Sequence, residues 1–403
     1  MRTKRNECRP TYDILFDVGA TSVGVGVVHH GKTGTDLVWH KRVDYAYEVY
    51  DDYERYKRTM FATLLDIGMQ LMSEGARTIR ETHTSFRMDR AGVTCVLAPP
   101  WFFAFVQQSE EERQKQFTVT QATIDALHHQ AVTQALSEQQ AFASWADVVG
   151  EYEVLEALPQ ELRLDGYEVE AWNHKHVQKI SMSSFYAVMA QDVHTQVLEI
   201  LERVLPNHDA SMCSSTSLTT NLFEQNVAGG AGGHASLVEI LGQITSVTSV
   251  RHGRITAVRA FPLGTNSVLR AAAPDAVSAH EAQGALTVTA KELEREGGSV
   301  PATVQKALTE WYAQVQEELR TQSQGVTPPE LVLVMVGMNW YPFVLPLLAE
   351  PWLLPGIREE RPMVVTPCSD FVLAKHEGSD VPKNAIQDSR LQVFTYALQY
   401  RCV

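Results

Sequence analysis

The feature that most constrains the fold is an apolar segment, Ile14 to Val28, interrupted by one carboxylate and a short polar turn. Asp17 lies near the end of the first apolar run, and small and hydroxyl residues follow: Gly19, Ala20, Thr21 and Ser22. This pattern predicts a strand, a tight turn and a second strand. A carboxylate in a buried strand needs a partner, and free backbone N–H groups beside hydroxyls suit a phosphate. A metal ion bridging Asp17 and a phosphate would satisfy both, whereas an ordinary hairpin with a polar turn is the alternative.

A segment of the same design lies in the second half of the chain. Glu239 sits inside the apolar run Leu237 to Leu241. A glycine and polar residues follow it: Gly242, Gln243 and Thr245. Arg251 to Arg254 predicts the next turn, and Ile255 to Phe261 a further strand. The chain therefore uses one strand-turn-strand unit twice, and two such turns facing each other would hold a polyphosphate from both sides.

Length and charge limit the classes of protein that this chain can belong to. With 403 residues it is too long for one compact core, so we expect at least two domains. Hydrophobic residues make up 44% and charged residues 20%, which is ordinary for a globular protein. The formal net charge of −14, without a basic stripe, argues against a nucleic-acid partner.

Cysteine usage and apolar run lengths indicate a cytoplasmic protein. The five cysteines are scattered and none forms a CxxC pair, so neither a disulfide framework nor a structural zinc site is expected. We expect no signal peptide before the first strand, because polar residues follow the N-terminal arginines. The longest clean apolar run, Leu331 to Val336, is too short to span a bilayer. We therefore expect no transmembrane segment, although a position beside a membrane stays open.

Between the two hairpins the sequence has a different rhythm. Val93 to Leu97 predicts a buried strand that Pro99 and Pro100 end. Ser109 to Gln116 is charged, which predicts a helix or loop, and Gln121 to Leu136 predicts a helix after a capping threonine. Strands are expected at Tyr152 to Leu158, Tyr167 to Ala171 and Val177 to Met182. This stretch is therefore interpreted as a small inserted α/β unit.

Taken in order, these residues resemble the actin-like ATPases. Asp17-Val18-Gly19-Ala20-Thr21-Ser22 is similar to the first phosphate signature of that superfamily, and Glu239 to Thr245 with Gly264 stands where the second is expected. Val336-Gly337-Met338-Asn339 is similar to the adenosine signature. The strand ending in prolines, followed by an inserted α/β unit, resembles the bacterial branch that contains the cell-division protein FtsA and the pilus-assembly protein PilM.

The resemblance implies an α/β fold of the duplicated ribonuclease-H-like type, with two lobes around a nucleotide cleft. We expect 1–102 to form the first half of lobe one, 103–182 the inserted subdomain and 183–227 the return to lobe one. Lobe two would span 228–403, with a helical subdomain near 273–329.

The resemblance also implies ATP and Mg²⁺ as cofactors. Asp17 would hold the metal through water, and Glu239 would lie near the metal or orient the attacking water, which makes these two the catalytic candidates. The phosphates and adenosine would contact a wider set: Gly19, Ala20, Thr21, Ser22, Gly242, Gln243, Thr245, Gly264, Gly337 and Asn339. At most a slow ATPase is expected.

Departures from the family pattern leave three functions open. Glu239 replaces an aspartate, and Leu241, Met338 and Asn339 replace glycines. One function is an ATP-binding scaffold of type IV pilus assembly or cell division, which recruits a membrane-associated partner at the inner face of the membrane and forms a homo-oligomer or filament. A pseudoenzyme that acts through contacts alone is the second, and a small-molecule kinase is the third. His174 and His176 would lie on one face of a strand and could form a metal pair. No carboxylate or cysteine lies at a suitable spacing, so a solvated strand is the favoured interpretation.

Overall fold

The computed structural model describes residues 11–31, 34–45, 52–226, 233–272, 284, 286–288, 300–323, 329–337, 340–349, 364–370 and 388–398, apart from the side chains of 143–144 and 223–226. The strands are, in chain order, β1 (Tyr12–Val18), β2 (Ser22–His30), β3 (Thr35–Asp44), β4 (Gly92–Leu97), β5 (Phe102–Thr118), β6 (Tyr152–Leu164), β7 (Tyr167–Glu168), β8 (His176–Ala190), β9 (Ala210–Ser214), β10 (His234–Ile240), β11 (Thr245–Arg251), β12 (Arg254–Phe261), β13 (Leu331–Met335) and β14 (Val364–Pro367).

The helices are α1 (Tyr53–Gln70), α2 (Ala76–Thr82), α3 (Gln121–Glu138), α4 (Gln140–Val149), α5 (Gln191–Val204), α6 (Ser215–Asn226), α7 (Thr265–Ala272), α8 (Ala302–Ser323), α9 (Tyr341–Leu348) and α10 (Ser389–Leu398). A π-helical turn, Leu71–Gly75, joins α1 to α2. The apolar stripe predicted on α1 is buried, as expected for a helix that packs against a sheet.

Two five-stranded sheets with the same connectivity form the two lobes. Their orders are β3-β2-β1-β4-β9 and β12-β11-β10-β13-β14. In each sheet the first strand pairs antiparallel with the second and parallel with the fourth in chain order. The chain therefore has a duplicated α/β architecture, as the resemblance implied.

The two acid-bearing hairpins are equivalent in register. Asp17 pairs with Gly24 across β1 and β2, and Glu239 pairs with Ser246 across β10 and β11. The same backbone hydrogen bond closes each turn, from the Gly19 N–H to the Ser22 oxygen and from the Leu241 N–H to the Ile244 oxygen, at 2.9 Å in both. β1 and β10 are buried along their whole length, because each lies inside its sheet.

The third sheet lies in the chain between β4 and β9, and we call β5 to β8 with α3 and α4 the insert. Its strand order is β5-β8-β6-β7, all antiparallel. Its core contains α3 residues such as Ile124 and Leu127 and strand residues such as Ile180 and Met182. Thr120 caps α3 in a capping box, as its sequence predicts.

Two helices fill the space between the lobes. α6 follows β9, and α10 follows β14 along the chain, so each belongs to the end of its own lobe. Leu218 and Leu222 of α6 share one buried cluster with Leu391 and Phe394 of α10 and with residues of both five-stranded sheets. α10 therefore packs against both lobes at once.

Several local predictions differ from the structure. Ser109 to Gln116 belongs to the long strand β5, which pairs with β8, rather than to a helix or loop. The apolar spacing from Val188 to Leu205 predicts a helix, but Val188 to Ala190 belongs to β8 and α5 begins at Gln191. His174 adopts a positive φ of 60° in the turn before β8, so it does not share a strand face with His176.

Part of the expected helical subdomain, 273–283, lies outside the described residues, as do 1–10. The predicted domain boundaries stay predictions. No helix within the described ranges combines the length and the apolarity that crossing a membrane requires.

Candidate functional site

The two acids of the hairpins face each other across one guanidinium. Arg390, near the start of α10, donates from Nε and Nη2 to the two carboxylate oxygens of Asp17, both at 3.1 Å. Its Nη1 donates to Glu239 Oε1 at 2.8 Å. The other oxygen of Glu239 accepts from the Ser215 hydroxyl at 2.9 Å. Arg390 therefore bridges lobe one and lobe two at the point where the sequence predicts a metal and phosphates.

A second guanidinium completes the cluster. Arg42 on β3 donates from Nη2 to Asp17 Oδ2 at 2.5 Å and from Nη1 to the Ser22 hydroxyl at 2.8 Å. Its Nε donates to Asp388 Oδ2 at 2.6 Å. The other oxygen of Asp388 accepts from the Leu391 N–H at 3.0 Å and so caps α10. We call the three carboxylates and two guanidiniums of Asp17, Glu239, Asp388, Arg42 and Arg390 the arginine clasp.

Burial and neighbouring charges shift the pKa values of the clasp residues in opposite directions. Burial alone would raise the pKa of Asp17, but the charges and hydrogen bonds of Arg390 and Arg42 outweigh it and lower that pKa below its ordinary value. Burial would lower the pKa of Arg390, but Asp17 and Glu239 raise it. Removing one member would leave its partners buried with one counter-charge fewer, so the stability that each group contributes depends on the others.

Carbonyl groups in the turn of the first hairpin are held by aromatic donors. The Gly19 oxygen accepts from Trp101 Nε1 at 2.8 Å and from the Tyr45 hydroxyl at 3.1 Å. The Ala20 oxygen accepts from the Tyr56 hydroxyl. Trp101 is 1% exposed and packs in the core of lobe one. Side chains of lobe one thus hold the predicted phosphate turn in place through its carbonyl oxygens.

The turn of the second hairpin is held by the start of α7. The N–H groups of Thr265 and Asn266 donate to the oxygens of Leu241 and Gly242, at 2.9 and 2.8 Å. The missing side chain of Gly264 lets the start of α7 approach the turn closely, since a Cβ there would lie 2.6 Å from the Gly242 oxygen. Gly264 therefore serves backbone packing in the described structure.

The remaining predicted ligands are dispersed. The Thr245 hydroxyl donates to the Leu263 oxygen and accepts from Trp311 Nε1, at 2.7 and 2.8 Å, inside lobe two. The Gln243 amide oxygen accepts from Arg270 at 3.3 Å. Gly337 is exposed after β13, and Asn339 lies outside the described residues.

The two hairpin turns contact each other directly. Leu241 shares a small buried cluster with Ala20 and Ala98 of lobe one. A Cβ on Gly242 would overlap the methyl group of Thr21.

A magnesium-nucleotide does not fit between the turns in this arrangement. Both oxygens of Asp17 already accept from guanidiniums, and the turns leave no separation for phosphates. One observation favours a ligand: Asn266 Nδ2, beside Gly242, is buried and has no hydrogen-bond partner within the described structure. For a metal to reach Asp17, the guanidiniums of Arg390 and Arg42 would first have to withdraw from its oxygens.

Sequence reasoning missed the cations of the clasp. It found Asp17 and Glu239 from their place in apolar strands, but it assigned a metal rather than Arg42 and Arg390 as their partner. The available signal was the requirement that a buried carboxylate be paired. Arg390 lies next to the apolar run of α10, where a charged residue would itself need a partner.

The two equivalent five-stranded sheets, the interlobe helices α6 and α10 and the insert after β4 define the actin-like ATPase fold. The chain is a divergent example of that fold.

The first of the following two solved structures supports this assignment of the fold. The structure is similar to one titled "PilM-PilN type IV pilus biogenesis complex", with a TM-score of 0.61 and 14% identity over 96% of this chain and 98% of that chain. It also matches the ethanolamine utilization protein EutJ from Carboxydothermus hydrogenoformans, with a TM-score of 0.44 and 11% identity over 98% and 91% of the two chains. No protein-family model and no curated protein matches the sequence.

Proposed function

We propose that this protein is an actin-like scaffold of the pilus-assembly kind whose lobes are joined by the arginine clasp rather than by a nucleotide. The observation that carries the proposal is the contact of Arg390 with both Asp17 and Glu239. These acids are the groups that a nucleotide-dependent relative would use for metal and water. With both engaged by a guanidinium, neither hairpin acid is free to assist phosphoryl transfer.

The pilus role is inferred from the likeness to the PilM structure, which comes from a complex with PilN. By analogy, the scaffold would act in the cytoplasm, at the inner face of the membrane, and recruit a membrane-associated partner. A cell-division role of the FtsA type is the alternative. A homo-oligomer or filament is compatible with either role. Light scattering of the purified protein distinguishes a monomer from these assemblies.

Binding of ATP and Mg²⁺ at the predicted residues stays a prediction that one measurement tests. The melting temperature of the purified protein is compared with and without MgATP at millimolar concentration. A ligand at about 100 times its Kd stabilises the folded state by about 2.7 kcal/mol, which is readily visible. We expect no shift. A shift that Asp17→Asn abolishes would contradict the proposal and restore the ATP-binding scaffold.

The partner is tested separately. Co-expression with the PilN-like protein of the same organism should give a complex that survives size-exclusion chromatography without added nucleotide. A complex that forms only with MgATP would contradict a nucleotide-independent scaffold. A kinase is disfavoured, because Asp17 and Glu239 both accept from Arg390, so neither hairpin acid is available as a base.

A further inference from the structure

Among the contacts between the insert and lobe one, one carboxylate accepts from three groups at the start of α6. Glu156 on β6 accepts hydrogen bonds from the Ser214 N–H at 3.0 Å, from the Ser214 hydroxyl at 2.6 Å and from the Ser217 hydroxyl at 2.6 Å. These donors lie at the start of α6, whose first N–H groups need acceptors. The register of β6 against β8 shifts between Val154 and Glu156, and such a bulge redirects side chains. The Ser214 hydroxyl caps α6, since it accepts from the Ser217 N–H at 3.1 Å, and Glu156 holds this cap residue from a different sheet.

The capped end of α6 is also where the clasp begins. Ser215 lies between the two serines that contact Glu156, and its hydroxyl donates to Glu239 at 2.9 Å. Glu239 in turn accepts from Arg390, which holds Asp17. A continuous series of polar contacts thus runs from the insert through the first turn of α6 to the junction of the lobes.

The same strand of the insert also contacts lobe two. The Gln160 side-chain oxygen accepts from the Ile255 N–H of β12 at 2.7 Å. Arg254 of β12 forms an ion pair with Glu168 of β7 and lies 3.8 Å from Glu161 of β6. Since β6 contacts both lobes, a shift of the insert changes its contacts with lobe one and with lobe two together.

We propose that the insert controls whether the arginine clasp is closed, through Glu156 and the first turn of α6. With Glu156 in place, the cap residue Ser214 is held and the first turn keeps Ser215 against Glu239. When β6 moves away, the hydroxyls of Ser214 and Ser217 lose their common acceptor, the first turn frays, and Glu239 loses the Ser215 hydroxyl. In this proposal the first turn of α6 has two states, ordered and frayed. Its contact with Glu156 of the insert and its contact with Glu239 of the clasp both favour the ordered state. This inference rests on the proposed nucleotide-independent scaffold, in which position of the insert takes over the control that a nucleotide would exert.

The thiol of Cys368 can report whether the clasp is open or closed. Cys368 is fully buried in the cluster that contains α10 and close enough to Glu239 and Arg390 for their charges to act on its thiol. Cys95 is fully buried in the core of lobe one. The rate at which a maleimide modifies Cys368, relative to Cys95, reports opening at the clasp as distinct from general unfolding. Mass spectrometry of the modified peptides resolves the two cysteines in the full chain.

The test compares Glu156→Gln with Glu153→Gln, a matched change on the same strand. The Glu153 side chain is 47% exposed and lies near His194 rather than α6. Glu156→Gln should raise the Cys368 rate about tenfold at an unchanged Cys95 rate, the size of effect that loss of one helix cap gives. Glu153→Gln should leave both rates within about twofold of native, as a surface change does.

A second variant separates control of the clasp from a merely structural contact. Ser215→Ala should also raise the Cys368 rate, and the double variant with Glu156→Gln should add little, because both changes break the same series of contacts. An unchanged Cys368 rate in Glu156→Gln, an equal rise at Cys95, or additive effects in the double variant would each overturn the proposal. This measurement uses no nucleotide, so its failure is distinguishable from a MgATP-dependent melting shift, which would remove the scaffold proposal itself.

Discussion

Thr21 and Gly242 contact each other where the two hairpin turns meet, and the methyl group of Thr21 occupies the position that a Cβ on residue 242 would need. Beside them, Leu241 packs against Ala20. The equivalent turns of the two lobes thus form an apolar contact directly next to the buried ion pairs of the clasp. Closure of the lobes depends on a glycine here for steric reasons.

Gly242→Ala should therefore destabilise the protein by about 1–3 kcal/mol, the usual cost of overpacking a tight contact. Urea denaturation measures the change. Thr21→Ser removes the overlapping methyl group and keeps the hydroxyl, so it should recover most of the loss in the double variant. Gly34→Ala is the control, since a Cβ there meets no atom within 4 Å. Equal losses in the single and double variants would show that the overlap is not the cause.

Arg390→Ala should cost about 3–5 kcal/mol, because it leaves Asp17 and Glu239 buried with one counter-charge fewer. Arg390→Lys should recover only part of this, since an ammonium cannot reproduce the planar contacts with both carboxylates. Arg320→Ala, which removes an exposed arginine paired with Glu317 on α8, should change the free energy of unfolding by less than about 1 kcal/mol. Comparable effects of Arg390→Ala and Arg320→Ala would rule out a structural role for the clasp.

The acid sensitivity of the protein should depend on Asp17. Its pKa in the folded state lies below the ordinary value of 3.8, so its ion pairs contribute stability that is present above that pH. This contribution is lost as the pH falls through the folded-state pKa, because Asp17 must then take up a proton. Asp17→Asn should lower stability at pH 7 and flatten the decline below about pH 4. Parallel stability curves for the two proteins would contradict the assignment.

Thr245→Val should cost about 1–3 kcal/mol, because it leaves the indole N–H of the buried Trp311 without its acceptor. Thr309→Val on the exposed face of α8 removes a hydroxyl that bonds only to its own helix and should stay within about 0.5 kcal/mol of native. If Thr245 instead faces a ligand, the variant would keep its stability and change only binding.

The hairpins could be predicted from the sequence because their signals are local. Alternating apolar residues and the small, polar turn after Asp17 define β1 and β2 within a few residues. The same holds for Glu239 and for the left-handed residues His252 and Gly253 in the turn between β11 and β12. The duplicated architecture followed from these two units.

The partners of the acids could not be predicted in the same way. Arg390 is 373 positions from Asp17, and Arg42 is 25 positions from it across two strands. No periodic pattern connects residues so far apart. A buried carboxylate indicates that a cation is needed, but a metal ion and a guanidinium both meet that need. The residues predicted to bind a nucleotide therefore remain a hypothesis. The ion pairs of the clasp become visible only in the three-dimensional structure.

Charge misled the prediction at the start of the insert. Glu110, Glu111 and Glu112 suggested a helix or loop, yet they belong to β5. Pairing with β8 decides the conformation there, and Lys179 on that strand lies 3.0 Å from Glu110 and 3.3 Å from Glu112. Cross-strand neighbours outweighed the local preference of glutamate.

The long separation between Asp17 and Arg390 has a consequence for biosynthesis. A ribosome that has just added Asp17 must add 373 further residues to reach Arg390, so the nascent first lobe carries Asp17 with Arg42 as its early counter-charge. Arg42 alone balances the charge of Asp17, whereas the guanidinium that contacts Glu239 is made only with α10. The ion pairs that join the two lobes can therefore form only after α10 has been synthesised.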